Sequence, residues 1–247
     1  MSVAEKREAV VRYFKKFPYW GLGLIGIGIL IVLIGGLKLT ALWGALACGL
    51  GGLPIYFHVS GMISDAKYDQ ILEEAMNHIA GPKALGKWGI DEGELRRESV
   101  YVYGPAFNTN TGNEAFKSGE DRVGRYNPVR FAVIGFGEHQ LFAYTGILDL
   151  MTGNVLNEGT EEFFYQDVVS VSTATQSIRA RWKGVDHQLN DTETFVLTTS
   201  GGTAIHVPLR SQQWASLFGG EEGSNTLAEK AIAAVRTMLR DKKRAAV

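Results

Sequence analysis

Apolar positions in this chain change their spacing twice, and each change marks a different kind of element. Between residues 19 and 59 polar positions almost vanish. YWGLGLIGIGILIVLIGGL (19–37) is followed by Lys38 and Thr40, and LWGALACGLGGLPIYFHV carries a second apolar run to Val59. A bilayer core of about 30 Å needs roughly 20 apolar residues of helix. Lipid offers backbone groups no water, so helix is the form such runs take. The pattern predicts a two-helix transmembrane hairpin over 19–59, with Pro54 bending or ending the second helix. Before it, residues 3–17 place Val3, Val10, Phe14 and Phe17 on one helical face, with Arg7, Arg12, Lys15 and Lys16 around the rest. That segment is either an amphipathic helix for the headgroup region or a frayed tail of topogenic charge. After the hairpin, Ser64 caps SDAKYDQILEEAMNHI, whose stripe is Tyr68, Ile71, Leu72, Ala75 and Ile79. Gly81-Pro82 is read as its stop, and a short helix is expected over 91–97.

From Ser99 the period becomes alternating. SVYVYG is a strand, and residues 105–127 form a polar, Gly- and Asn-rich loop. VRFAVIGF and QLFAYTGILDL make a hairpin across Gly137-Glu138-His139, and Thr152-Gly153-Asn154 is the next turn. EEFFYQDVVSVST (161–173) reads as one long strand and SIRARW (177–182) as another. ETFVLTTS and GTAIHVPL pair across Gly201-Gly202. Seven strands are expected. Thr226-Leu227-Ala228-Glu229 then opens an amphipathic helix as a capping box. One helix after seven antiparallel strands is most simply a plug over a bent barrel. The segments are 1–18 (basic amphipathic), 19–59 (hairpin), 60–97 (helical connector) and 98–247 (β-domain with its closing helix).

Charge decides the orientation. The chain of 247 residues carries a formal −1, yet residues 1–18 hold five basic residues against Glu5 and Glu8, a net +3, while residues 60–247 hold −5. Basic residues before the first apolar run place the amino terminus in the cytoplasm, and two spans return the chain to that side. The acidic remainder argues against nucleic acid as a partner. Cys48 is the single cysteine, so no internal disulfide forms, as in a reducing compartment. A cleaved signal peptide is disfavoured, because the apolar core is too long and a second run follows.

Small residues recur on the apolar runs: Gly21, Gly28 and Gly35 in the first; Ala41, Ala45 and Gly49 on one row of the second; Gly44, Cys48 and Gly52 on its neighbour. Such rows let helix backbones approach closely. One row serves the hairpin and another is left for self-association. Gly21 to Gly26 also spells the dinucleotide-binding pattern, but within an apolar run and without the strand, helix and acidic residue that motif needs. Arg179, Arg181 and Lys183 alternate along one strand face. They offer a contact for anionic lipid or an acidic partner, or simply a solvated face that protects a sheet edge. The five histidines show no metal-ligand spacing, and G-x-S-x-G, P-loop and H-E-x-x-H patterns are missing. No cofactor, metal or catalytic residue is expected.

Seven strands and a closing helix resemble the pleckstrin-homology-like (PH-like) domains of bacterial membrane proteins. The echoes are FAVIGFGEHQLFAYTGILDL, EEFFYQDVVSVST, FVLTTSGGTAIHVPL and the last helix, covering roughly 98–241. The resemblance implies a seven-stranded antiparallel β-barrel closed by the C-terminal helix, in an α+β membrane protein of the bacterial inner membrane. It implies recognition rather than a reaction, since members of this class act as binding or scaffolding modules. In eukaryotic members phosphoinositides meet basic residues around the first hairpin. Here Lys117, Arg122, Arg125 and Arg130 stand among Glu114, Glu120 and Asp121. The expected function is a membrane-anchored, cytoplasm-facing scaffold for a protein partner, self-associating as a homo-oligomer. The alternative is a sensor of anionic lipid or a small ligand.

Overall fold

The structure is a computed structural model that describes residues 1–35, 39–221 and 226–245, with side chains undescribed at residues 35, 39–41 and 243–245. The chain divides into two compact units, Met1–Tyr68 and Asp69–Val247.

The first unit is helical. Helix α1 (Val3–Phe14) starts on a capping box: the Ser2 hydroxyl accepts from the Glu5 amide, and the Glu5 carboxylate accepts from the Ser2 amide. Ala9, Val10 and Tyr13 are its buried face, whereas Val3 stays exposed. A turn at Pro18 leads into α2 (Tyr19–Gly35), bent 60° from α1. Helix α3 runs Leu39–Gly61 and continues through Pro54 rather than ending there. Tyr13 ties α1 to the start of α4 (Asp65–His78). Its hydroxyl donates to Asp65 at 2.6 Å, and its ring stacks on Tyr68 at 4.8 Å. Phe14 meets both rings edge-on.

The expected pair of membrane spans is corrected here. Among the described residues one helix, Leu42–Gly61, is long and apolar enough to cross a membrane; a second counts only if the bent pair α1 and α2 is taken as one span. The described part of α2 has 17 residues, about 25 Å at 1.5 Å per residue, against a core of about 30 Å. This is consistent with membrane association, on length and composition alone.

In the second unit, α4 stops just before Gly81-Pro82, its last residue being His78. A wide π-turn, Ile79–Lys83, takes the chain past Gly81, whose backbone is non-helical, and helix resumes as α5 (Ala84–Trp88). The helix expected over 91–97 is only a 3-10 turn, Glu92–Glu94, because Arg97 already belongs to a strand. Nine strands follow among the described residues: β1 (Arg97–Pro105), β2 (Ala115–Ser118), β3 (Gly124–Asn127), β4 (Val129–Phe136), β5 (Gln140–Asp149), β6 (Asn154–Phe164), β7 (Val168–Trp182), β8 (Val185–Thr199) and β9 (Ala204–Arg210). They form three antiparallel sheets, ordered β1-β4-β5-β6, β2-β3 and β7-β8-β9.

Among the described residues no sheet closes into a barrel, which overturns the seven-stranded PH-like barrel. Three local features account for the different count. The polar loop holds its own hairpin, β2-β3, pairing Phe116 with Tyr126. The run read as one strand over 161–173 breaks at Tyr165-Gln166-Asp167, where the Asp167 amide donates to the Phe164 carbonyl in a turn. SIRARW is the end of β7 rather than a strand of its own. Strands β1 and β9 come close without joining a ladder: a side chain at Gly104 would collide with the Pro208 carbonyl.

The core of this unit lies between the larger sheets and α7 (Thr226–Ala245). Phe136, Leu141, Phe195 and Leu197 meet Ala228, Ala231 and Val235 there. A second cluster packs Phe107, Trp182, Leu189 and Trp214 near the β7–β8 turn, with α6 (Gln212–Leu217) supplying Trp214. That turn has positive φ at both Lys183 and Gly184, as a two-residue primed hairpin requires.

Candidate functional site

Helices α2 and α3 touch backbone to backbone, and the reason is glycine. A Cβ added at Gly21 would lie 2.6 Å from the Gly51 carbonyl, and one at Gly28 would lie 2.6 Å from the Gly44 carbonyl and 2.7 Å from Cys48 Sγ. The Cys48 thiol donates weakly to the Ile25 carbonyl at 3.7 Å. Gly21 and Gly28 are thus at the contact, as are Gly44 and Cys48, while the packing of Gly35 falls outside the described residues. Gly52 meets nothing; Gly51, one position earlier, takes its place. On a helix of 3.6 residues per turn, 44, 48 and 51 share a face, and a strict step of four drifts off it. Ala45 and Gly49 point away from α2 and are exposed. The outer surfaces of both helices are apolar, with Leu22, Ile29, Leu33, Leu46, Leu50 and Leu53 all exposed.

The basic strand face lies in the second unit, separate from these glycines in sequence and element. Arg179, Arg181 and Lys183 are all exposed on β7 and its turn. Arg181 is engaged across the hairpin by a two-pronged pair with Asp186, at 2.8 and 3.1 Å. That hydrogen bond holds the Asp186 carboxyl below its ordinary range, helped by the charges of Arg181, Arg179 and His187. Asn108 further covers the edge of β7: its amide nitrogen donates to the Arg179 carbonyl, and its carbonyl accepts from the Arg181 amide. The face is therefore less cationic than its sequence.

Three polar constellations escape sequence reading. Arg125, its side chain only 6% exposed, donates to both oxygens of Asp69 at 2.8 and 2.7 Å and to both of Asp121 at 2.9 Å. The hydrogen bond from Arg125 holds Asp121 down at about 2. Asn127, fully buried, donates to Asp149 at 2.9 Å and to the Asn113 carbonyl at 3.0 Å, and accepts from the Leu150 amide at 2.8 Å. Asp149 also accepts from Asn113 at 2.7 Å. Glu158 receives Lys87 at 2.7 Å, Lys83 at 3.5 Å and the Tyr144 hydroxyl at 2.7 Å. The hydrogen bonds from Lys87 and Tyr144 hold its carboxyl at about 2. Burial in turn pushes Tyr103 up to about 12. The only signal for Asn127 was its place beside Pro128 at the end of a polar run; nothing in sequence spacing joins Lys83 or Lys87 to Glu158.

These groups satisfy one another, so they read as structural supports rather than reacting groups. Among the described residues no set of three His, Cys, Asp or Glu side chains is placed to hold a metal ion. Comparison with known proteins adds no name to this geometry: no family model, no curated protein and no solved structure matches the chain.

Proposed function

We propose that this protein is anchored in the bacterial inner membrane, with its N-terminal segment on the cytoplasmic side, and that it recognises or organises a protein partner while self-associating. What carries this reading is the exposed apolar surface of α2 and α3, sealed between them by glycine contacts and uninterrupted on the outside. An exposed face of that size is rare on a protein surrounded by water. The net +3 of residues 1–18 supports a cytoplasmic amino terminus. Kinship with PH-like domains is part of the proposal. It rests on the order of a four-stranded meander, a three-stranded meander and a closing helix, without a barrel. The role is binding and scaffolding rather than a reaction.

The experiment is extraction followed by mass. The chain should resist alkaline carbonate and leave the membrane only in detergent; release by carbonate alone would remove the anchor. In mild detergent the native complex should exceed one chain in mass, and a stoichiometric second protein would identify the partner. Ala45→Leu with Gly49→Leu, on the row facing away from α2, should lower that mass. An unchanged mass would discard this row as the assembly face.

A further inference from the structure

We infer that the cleft where the end of α1 meets the start of α2 and the end of α3 binds a phosphate-bearing anion, the headgroup of an anionic phospholipid. The inference rests on the membrane anchoring proposed above. The cleft measures about 460 Å³ and lies wholly within the helical unit. Arg12, Lys15 and Lys16 bring three cations to it, and His58 adds a polar ring. His58 is held edge-on by Phe17 at 5.4 Å. Gly61 has no side chain, and a Cβ there would sit 3.2 Å from Arg12 Nη1, so the guanidinium lies against the end of α3.

Two observations separate this cleft from an ordinary solvated basic patch. First, the charge exceeds what the local fold needs. The C-terminal ends of α1 and α3 carry about half a negative unit each, and Glu8 takes one edge of Arg12 at 2.5 Å; three cations and a histidine more than cover those demands. Second, the cleft stands at the level where a headgroup would be. Trp20 in the first turn of α2 lines it and is exposed, with the apolar Phe57 beside it, and tryptophan rings settle at the membrane–water boundary. Cations beside interfacial aromatics, around a hollow of this size, match a phosphate with its glycerol-linked substituent. On the Arg179, Arg181 and Lys183 face, by contrast, one of the cations is already paired with Asp186.

The test uses the full chain in detergent and native mass spectrometry with three probes: dioctanoyl-phosphatidylglycerol, dioctanoyl-phosphatidylcholine and inorganic phosphate. The wild type should retain one phosphatidylglycerol per chain and bind phosphatidylcholine at least tenfold more weakly. Replacing Arg12, Lys15 and Lys16 with Gln should weaken phosphatidylglycerol roughly a hundredfold, at about fivefold per basic contact near an anionic surface. A charge-matched control, Arg179→Gln with Arg181→Gln and Lys183→Gln, should change it less than threefold. Equal loss in both triples, or none in the first, overturns the cleft. Phosphate that binds while phosphatidylglycerol does not would overturn the lipid source and leave a soluble-phosphate site. A chain that carbonate strips from the membrane refutes the anchoring separately from this result.

Discussion

The two units of this molecule hold themselves together by opposite means. In Met1–Tyr68 the central contact is bare backbone. Gly21 faces Gly51 and Gly28 faces Gly44, with one weak thiol donor and, among the described residues, no charged side chain between α2 and α3. In Asp69–Val247 the apolar core is accompanied by buried polar groups that are fully occupied: Asn127 with Asp149 and Asn113, and Arg125 with two carboxylates. The difference teaches where each unit is vulnerable. Glycine contacts fail by addition of atoms, because nothing can move aside when the neighbour is a carbonyl. Polar networks fail by subtraction, because each removed partner strands the others without water.

The sharpest way to break this contrast is to subtract from the network. Asp149→Ala leaves the amides of Asn127, Asn113 and Met151 without their acceptor, and should cost about 4 kcal/mol. Hydrogen exchange should show the loss across β3 to β5 while α2 and α3 stay protected. Addition to the helical unit comes next. Gly28→Leu drives a side chain into Gly44 and Cys48 and should cost about 3 kcal/mol, with exchange rising in α2 and α3 only. Gly52→Leu, on α3 one turn beyond Cys48 and with nothing near an added Cβ, should be close to neutral; equal damage from both would deny that backbone contact matters.

Acid sharpens the comparison further. Glu158 ordinarily titrates near 4.5 and is held at about 2 by Lys87 and Tyr144. Its native pKa is depressed, so it adds stability that is present above about 4.5 and lost as pH falls through about 2. Glu158→Gln should therefore flatten part of the acid limb of β-unit stability between those values, with Asp121 supplying a further part between its ordinary 3.8 and about 2. The helical unit should show no such change in response to the substitution. Smallest of all, Ser2→Ala removes one half of the α1 capping box, for about 1 kcal/mol of local fraying read from exchange in the first turn.

The parts legible in the sequence were those set by local pattern. Alternation located β1, β4, β5 and β9 closely, and the glycine turns before Gln140 and after Thr199 fell where expected. Small-residue spacing found four of the glycine-row contacts and missed Gly51, since it assumed a step of four where the helix surface uses four and then three. What stayed hidden depends on long-range pairing. Gln166-Asp167 looks like part of a strand until the Ser200 amide is seen donating to the Asp167 carbonyl, which fixes the chain in a turn. The β2-β3 hairpin was invisible because its strands are four residues each and mostly polar. Gly81-Pro82 ends α4 as it reads, with a non-helical backbone at Gly81, and only the short helix that resumes at Ala84 was not foreseen.

Cys48 turns the helical contact into something that can be counted. It is the chain's single thiol, its sulfur beside Gly28 with its proton toward Ile25. Cys48 is partly covered, and α2 shields the side of its thiol toward Gly28 and Ile25, so the labelling rate rises when this pair of helices separates. A chain with no engineered label thus already contains a clock for its own opening, and any ligand that clamps the helices will be heard as a slower tick.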